Sequence, residues 1–249
     1  RGPWVIFVGL LSLSAFREYA RAVGLWTDRS FGAVVGLFIV LIHASAWWPS
    51  GDGLARPGWY GLFMVLPVFG SLAVLAVPIA RDEFAHMLDK TGLALLAVVY
   101  FGWLFGHVAY LVNLPGGVGL VLFLSFLVAV NDVAAFVVGK LAGRHPLRPR
   151  LSPGKTWEGA LGGLLATLGV AWLARWLVPA YPPAILAGTA AAISLSGILG
   201  DLALSALKRD LGIKDWSAAI PGHGGILDRA NSLVFAAPLF FHFSRYLGA

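Results

Sequence analysis

Apolar runs of roughly bilayer length follow one another through this chain, at 3–17, 31–48, 59–79, 92–112, 118–140, 159–178, 184–206 and 231–247. A helix needs about 20 apolar residues to cross the hydrocarbon core. Charged residues make up 12% of the chain and hydrophobic ones 59%, where a soluble domain carries roughly 25% charged residues. Such a chain cannot cover a water-facing surface, so lipid is its solvent. The mean hydropathy of +0.81 and the 10 tryptophans agree, since Trp collects at membrane interfaces. The expectation is an all-α, polytopic integral membrane protein with about eight transmembrane helices, forming a single membrane domain over 1–249. The chain starts at Arg1 and its first apolar run is under way by Trp4, so a further N-terminal piece is expected ahead of it. Pro67 and Pro78 fall inside the third run, where neighbouring helices can satisfy the freed carbonyls. The Gly32/Gly36 spacing would allow a close helix contact.

Lys and Arg residues set the orientation. Loops after the odd-numbered runs hold Arg17, Arg21, Arg29, Arg81, Lys90, Lys140, Arg144, Arg148, Arg150, Lys155, Lys208, Arg209, Lys214 and Arg229. The other side holds only Arg1, Arg56, Arg175 and Arg245. Cytoplasmic loops carry the excess of Lys and Arg. The basic loops, and any chemistry, therefore belong on the cytoplasmic face, with both chain ends outside. The same bias accounts for a pI near 9.9 without a nucleic-acid partner. There is no Cys, which excludes disulfides and thiolate metal sites.

Four polar clusters interrupt the apolar background. In "NDVAAFVVGK" Asp132 lies within the fifth run, and a carboxylate at membrane depth is costly and reads as functional. The alternative is a packing carboxylate paired with a Lys. In "LSPGKTWEGALGG" Ser152, Lys155 and Thr156 precede a helix expected from about Glu158. A helix start with a Lys and hydroxyls favours an anion such as phosphate; the alternative is an ordinary N-cap, and the spacing is not that of a Walker loop. In "GDLALSALKRD" Asp201, Ser205 and Lys208 share one helical face, which suits either a metal–phosphate ligand or an internal Asp–Lys pair. In "PGHGGILDRANS" the glycines let backbone approach a ligand, Asp228 is followed by Asn231 one turn on, and His223 is either near the chemistry or a loop hydrogen bond. Hard cations such as Mg²⁺ take oxygen ligands from one or two carboxylates plus substrate phosphates. Together these residues point to phosphoryl or nucleotidyl transfer on a lipid phosphate.

The stretch "SALKRDLGIKDWSAAIPGHGGILDRAN", 205–231, resembles the signature of the phosphatidate cytidylyltransferases, or CDP-diacylglycerol synthases. Ser205, Lys208, Arg209, Lys214, Asp215, Pro221, His223, Gly224, Gly225, Asp228 and Arg229 fall at that pattern's spacing. The "SPGKTWEGALGG" and Asp132 segments are similar too, so the resemblance covers about 125–235. It implies a Mg²⁺-dependent enzyme of a bacterial inner membrane or of the endoplasmic reticulum, with a monovalent cation as a candidate second ion, acting as a homodimer. The implied reaction joins CTP to phosphatidic acid and releases pyrophosphate and CDP-diacylglycerol. In that reading Asp201, Ser205, Asp228 and Asn231 face the metal. Lys208, Arg209, Lys214, Asp215, His223, Asp228 and Arg229 form the catalytic set, and Asp132, Ser152, Lys155, Thr156, Gly224 and Gly225 hold substrate. Three positions depart from the pattern. Leu204 stands where an acidic residue often precedes the Ser, and Ala230 where a larger apolar residue is usual. Asn231 replaces an Asp, keeping one carbonyl acceptor but losing the charge. The rival expectations are a cytidylyltransferase or CTP-dependent kinase for another lipid, and a catalytically weak homologue that binds lipid.

Overall fold

The computed structural model describes residues 1–48, 58–219, 222 and 224–247. Of the residues singled out above, Arg56, Pro221 and His223 lie outside the described set. The chain divides into two compact units, 1–113 with 215–229, and 114–214 with 230–249.

The first unit holds α1 (Gly2–Ala22), α2 (Arg29–Ser45), α3 (Tyr60–Arg81), α4 (Met87–Ala97), seven residues of π-helix (Val98–Leu104) and α5 (Phe105–Tyr110). α1 is tied across the unit at three depths. Trp4 Nε1 donates to the Val108 carbonyl at 3.1 Å, Ser12 Oγ to Phe101 within the π stretch, and Tyr19 Oη to Leu93 at 3.1 Å. Asp28 caps α2, accepting from the Phe31 N–H, from Arg81 at 2.7 Å and from Lys90 at 2.9 Å. Burial alone would raise this carboxyl, but Lys90, the Phe31 N–H and Arg81 together hold it below the usual range. Gly32 and Gly36 meet no neighbour within 4 Å of where a Cβ would stand, so this spacing does not mark a close helix contact.

The second unit holds α6 (Gly117–Ala142), β1 (Pro146–Arg148), β2 (Ser152–Thr156), α7 (Trp157–Leu173) and α8 (Pro183–Asp210). The last helix, α9 (Ile226–Tyr246), contributes everything from Ala230 onward. The close helix contact is between α6 and α7. A Cβ on Gly159 would stand 2.6 Å from the Ala135 carbonyl oxygen, one on Gly162 2.6 Å from Val138, and one on Gly163 2.9 Å from Asn131. The glycines of "EGALGG" are thus what lets these backbones approach. Between the two helices runs an antiparallel ribbon that the all-α expectation did not include. It pairs Pro146 with Thr156 and Arg148 with Ser152, and it is built from "SPGKT", five residues with too little periodicity to announce a strand.

Each of the eight apolar runs is helical over most of its length. Among the described residues, four helical stretches, Tyr60–Arg81, Met87–Asn113, Gly117–Ala142 and Pro183–Asp210, are long and apolar enough to cross a membrane. α2 and α7 are apolar but 17 residues each, and α1 and α9 are long but more polar. Side chains such as Phe7, Leu10, Phe69, Leu72, Phe126 and Leu165 stand exposed along these helices, as lipid contact requires. Exposed Trp26 lies under the guanidinium groups of Arg17 and Arg21, and exposed Trp172 under that of Arg175, an arrangement suited to the interface. The chain is an integral membrane protein of helical architecture.

Candidate active site

In the second unit the polar residues of four elements converge. α6 supplies Asn131 and Asp132, β2 supplies Lys155, α8 supplies Asp201, and α9 supplies Asn231 and Ser232. Asn131, Asp132, Lys155, Thr156 and Asp201 line a cavity of about 180 Å³. Sites for drug-sized ligands run to about 300–1,000 Å³, so this one has the size of a phosphate group or of part of a larger ligand.

Asp201 is the hub. Its Oδ2 lies 2.7 Å from the Lys155 ammonium, whose nitrogen is shielded from solvent. Its Oδ1 accepts from Asn231 Nδ2 at 2.5 Å and from Ser232 Oγ at 3.3 Å. The Asn231 carbonyl oxygen meanwhile accepts from the Ser232 N–H at 2.7 Å. Asn231 therefore presents Asp201 with a donor, where a metal ligand would turn an oxygen to a shared cation. Asp201 thus pairs with a Lys of the ribbon, whereas the internal pair considered along this helical face was with Lys208. Asp132 accepts from Asn131 at 3.3 Å, and the buried Asn131 oxygen accepts from Ser194 at 2.6 Å. This buried network orients the end of the side chain next to Asp132.

The ribbon and the start of α7 are pinned from both sides. Thr156 Oγ1 caps α7 by accepting from the Gly159 N–H at 3.1 Å, which leaves its own O–H free to donate. Glu158 accepts from the N–H groups of Arg144 and His145 and from His145 Nδ1. The His145 hydrogen bond, ahead of the backbone donors and against burial, brings the Glu158 carboxyl down to about 2. Ser152 lies at the other end of β2, and Arg209 Nε donates to the Leu151 carbonyl just before it at 3.3 Å. Ser205 and Lys208 are half-buried further along α8. The helix then closes on Gly212, whose φ of 67° lets the Ile213 N–H reach the Lys208 carbonyl at 2.9 Å, and Lys214 follows exposed.

In the first unit the segment from Asp215 to Arg229 is organised by two carboxylates. Asp228 Oδ2 accepts from the Trp216 and Gly225 N–H groups, each at 3.0 Å. Glu18 of α1 accepts from Ser217 Oγ and from the N–H groups of Ile226 and Leu227. Gly224 has a φ of 81°, and a Cβ there would stand 2.9 Å from Asp228 Oδ2. The glycine pair thus admits the chain's own carboxylates. Asp215 and Arg229 are exposed at the two ends of this segment.

Among the described residues no three of His, Asp and Glu stand close enough to hold a metal by themselves. Asp132 and Asp201 are hard oxygen donors on one cavity. They fit Mg²⁺ only in the form that takes one or two carboxylates and completes its shell with water and phosphate oxygens. Sequence reasoning passed over Glu18, Asn131, Ser232 and Glu158. Asn131 carried a signal, as an amide beside Asp132 inside an apolar run; Glu18 carried little beyond being a carboxylate at the end of one.

Comparison with known proteins bears on this geometry. The pattern of the Cytidylyltransferase family matches residues 2–247. The chain belongs to that family. It is 32% identical to a phosphatidate cytidylyltransferase of Staphylococcus aureus (strain COL), over 94% of this chain and 87% of that protein. The Mycobacterium bovis protein of the same name is also 32% identical, over 94% of this chain and 78% of its own length. An uncharacterized Escherichia coli K12 protein, YnbB, is 43% identical over 96% of this chain and 78% of its own length. The family match runs through both units, so α1 with Glu18 belongs to it as much as the polar segments do.

Proposed function

We propose that the chain transfers a cytidylyl group from CTP to phosphatidic acid at the cytoplasmic membrane face, with Mg²⁺. A phosphate oxygen of phosphatidic acid forms a bond to the α-phosphorus of CTP. The bond from that phosphorus to the bridging oxygen breaks, and pyrophosphate leaves with the electron pair. The products are CDP-diacylglycerol and pyrophosphate. The nucleophile is anionic at neutral pH, so no strong base is required and the work is alignment and charge neutralisation. Mg²⁺ supplies that neutralisation at the phosphates. Asp201 and Asp132 are its proposed ligands, Thr156 and Lys155 meet a phosphate in the adjoining cavity, and Lys208, Arg209 and Lys214 hold triphosphate or lipid phosphate. Asp215, Asp228 and Arg229 take part through the first unit's segment. The observation that carries this reading is the family match over residues 2–247, together with relatives named phosphatidate cytidylyltransferase over nearly the whole chain.

A second reading rests on the Asn231–Asp201–Lys155 arrangement. With its charge met inside the protein, Asp201 has less need of a cation, as in a weak homologue that binds its substrates. The deciding experiment gives purified protein labelled CTP, phosphatidic acid and Mg²⁺. Labelled CDP-diacylglycerol is the expected product. CTP binding without labelled lipid favours the weak homologue, and a different labelled lipid redirects the substrate.

Orientation has its own test. Cysteine can be introduced cleanly, since the chain has none. Gly154 has open space at its Cβ and Ala180 is exposed, on either side of α7. Gly154→Cys should react with an impermeant thiol reagent only from the cytoplasmic side, and Ala180→Cys only from the other. The reverse pattern would place the ribbon away from cytosolic CTP and defeat the proposal.

A further inference from the structure

We infer that Glu18 is a positioning residue: from the first helix it sets the start of α9 and the segment before it, on which Asp215, Asp228 and Arg229 are carried. The inference rests on the cytidylyl-transfer reading for what those residues do, but not for how they are held. Glu18 is only 8% exposed, and a buried carboxylate is costly unless its oxygens are satisfied. Among the described residues its three donors all come from one segment: Ser217 Oγ at 2.7 Å and the Ile226 N–H at 3.0 Å on Oε1, and the Leu227 N–H at 2.9 Å on Oε2. Ile226 and Leu227 open α9, so their N–H groups have no partner within the helix. They are also the positive end of its dipole, which stabilises an anion. Glu18 is thus the cap of a helix that begins some 200 residues later in the chain.

The neighbours are shaped to this contact. A side chain on Gly225 would run into Glu18 Oε2. Tyr19 places its ring 5.8 Å from that of Trp216, which is buried, so the next residue of α1 holds the same segment by packing. Asp228 braces the segment from within, through the Trp216 and Gly225 N–H groups. One carboxylate from α1 and one from α9 therefore close the segment, the second through the Gly225 N–H itself. A chemical consequence follows. The N-terminus of α9 is filled by a protein carboxylate, so substrate phosphate does not seat there, and Glu18 acts on the reaction through Asp228 without touching substrate.

The test uses the full chain in nanodiscs. Glu18→Gln keeps the shape but sets an amide N–H against one of the two backbone N–H groups, of Ile226 or Leu227, and removes the charge. Hydrogen exchange at Ile226 and Leu227 is expected to rise by about tenfold or more, the scale of one lost charge-assisted bond. kcat for cytidylyl transfer should fall by a similar factor of about ten, with KM for CTP nearly unchanged. Ser217→Ala, which removes only a hydroxyl, serves if Glu18→Gln does not fold, and should move both readouts the same way by less. Unchanged exchange in these variants overturns the contact. Faster exchange with unchanged kcat overturns the positioning role and leaves a plain helix cap. If the parent protein makes no CDP-diacylglycerol, the functional reading falls by itself, and the exchange data still decide whether Glu18 holds the segment.

Discussion

Asp228→Ala should slow the proposed Mg²⁺-dependent cytidylyl transfer by about a hundredfold or more, while the membrane helices stay assembled. Two losses add up. The Trp216 and Gly225 N–H groups lose their acceptor, and a buried donor left unsatisfied costs about 1–3 kcal/mol. The reaction also loses a negative charge in the segment that the proposed mechanism relies on. Each 1.4 kcal/mol is about a factor of ten in rate, so either loss alone is large. Asp228→Asn separates them, because an amide oxygen can still accept from both N–H groups while the charge is gone. If exchange of the Trp216 and Gly225 amides is normal in Asp228→Asn and turnover is still lost, the charge is what matters. Near-normal turnover in Asp228→Asn would reduce Asp228 to a loop brace and remove it from any metal or phosphate role.

The contrast between Asp228 and Asp201 shows how far the sequence could be read. Apolar runs located the helices because burial in lipid acts on about 20 residues at once, and each run proved helical. The helix ends were harder to place. α9 begins at Ile226, five residues before the apolar run that marks it, because a charged first turn carries no apolar signal. Ile226 to Arg229 form that first turn, held by a carboxylate from a distant helix. The ribbon was illegible for a related reason: Ser152–Thr156 is too short for alternation to show, and its pairing depends on Pro146–Arg148. The glycines of "EGALGG" were visible beside a supposed anion site, whereas all three serve the contact between α6 and α7.

Residue types at the site were legible, but their pairings were not. Spacing along α8 put Asp201, Ser205 and Lys208 on one face, and an Asp–Lys pair on that face was a fair alternative to a ligand set. The partner that forms is Lys155, which becomes a neighbour only through the ribbon. Nothing periodic in the sequence records a contact of that kind. The Asn at 231 was legible as a departure from the family pattern. Its effect was not, since that depends on which end of the amide faces Asp201.

Asn231→Asp should convert this hub into a cation-dependent one. In the parent, Asn231 Nδ2 donates to Asp201 Oδ1 at 2.5 Å, and Lys155 meets the other oxygen. An Asp at 231 would keep the acceptor that bonds the Ser232 N–H but turn a second oxygen toward Asp201 where the donor had been. Two carboxylates at that separation repel strongly in a shielded site, and one Lys cannot balance both. The variant should therefore unfold at a lower temperature than the parent in chelator. Added Mg²⁺ should restore it, because a cation takes oxygen from both side chains. Ligand at about 100 times its Kd stabilises by roughly 2.7 kcal/mol, which for a chain of this size is a shift of several degrees, at about 2–4 °C per kcal/mol. The parent's melting temperature should respond to Mg²⁺ much less. In turnover, the variant should reach half-maximal rate at lower Mg²⁺ than the parent. If the parent yields no lipid product and Asn231→Asp does, the missing carboxylate is the cause of the weakness. An Asn231→Asp protein whose melting and turnover ignore Mg²⁺ would show that residue 231 does not face a cation site, and that its amide is there to hold Asp201 in place.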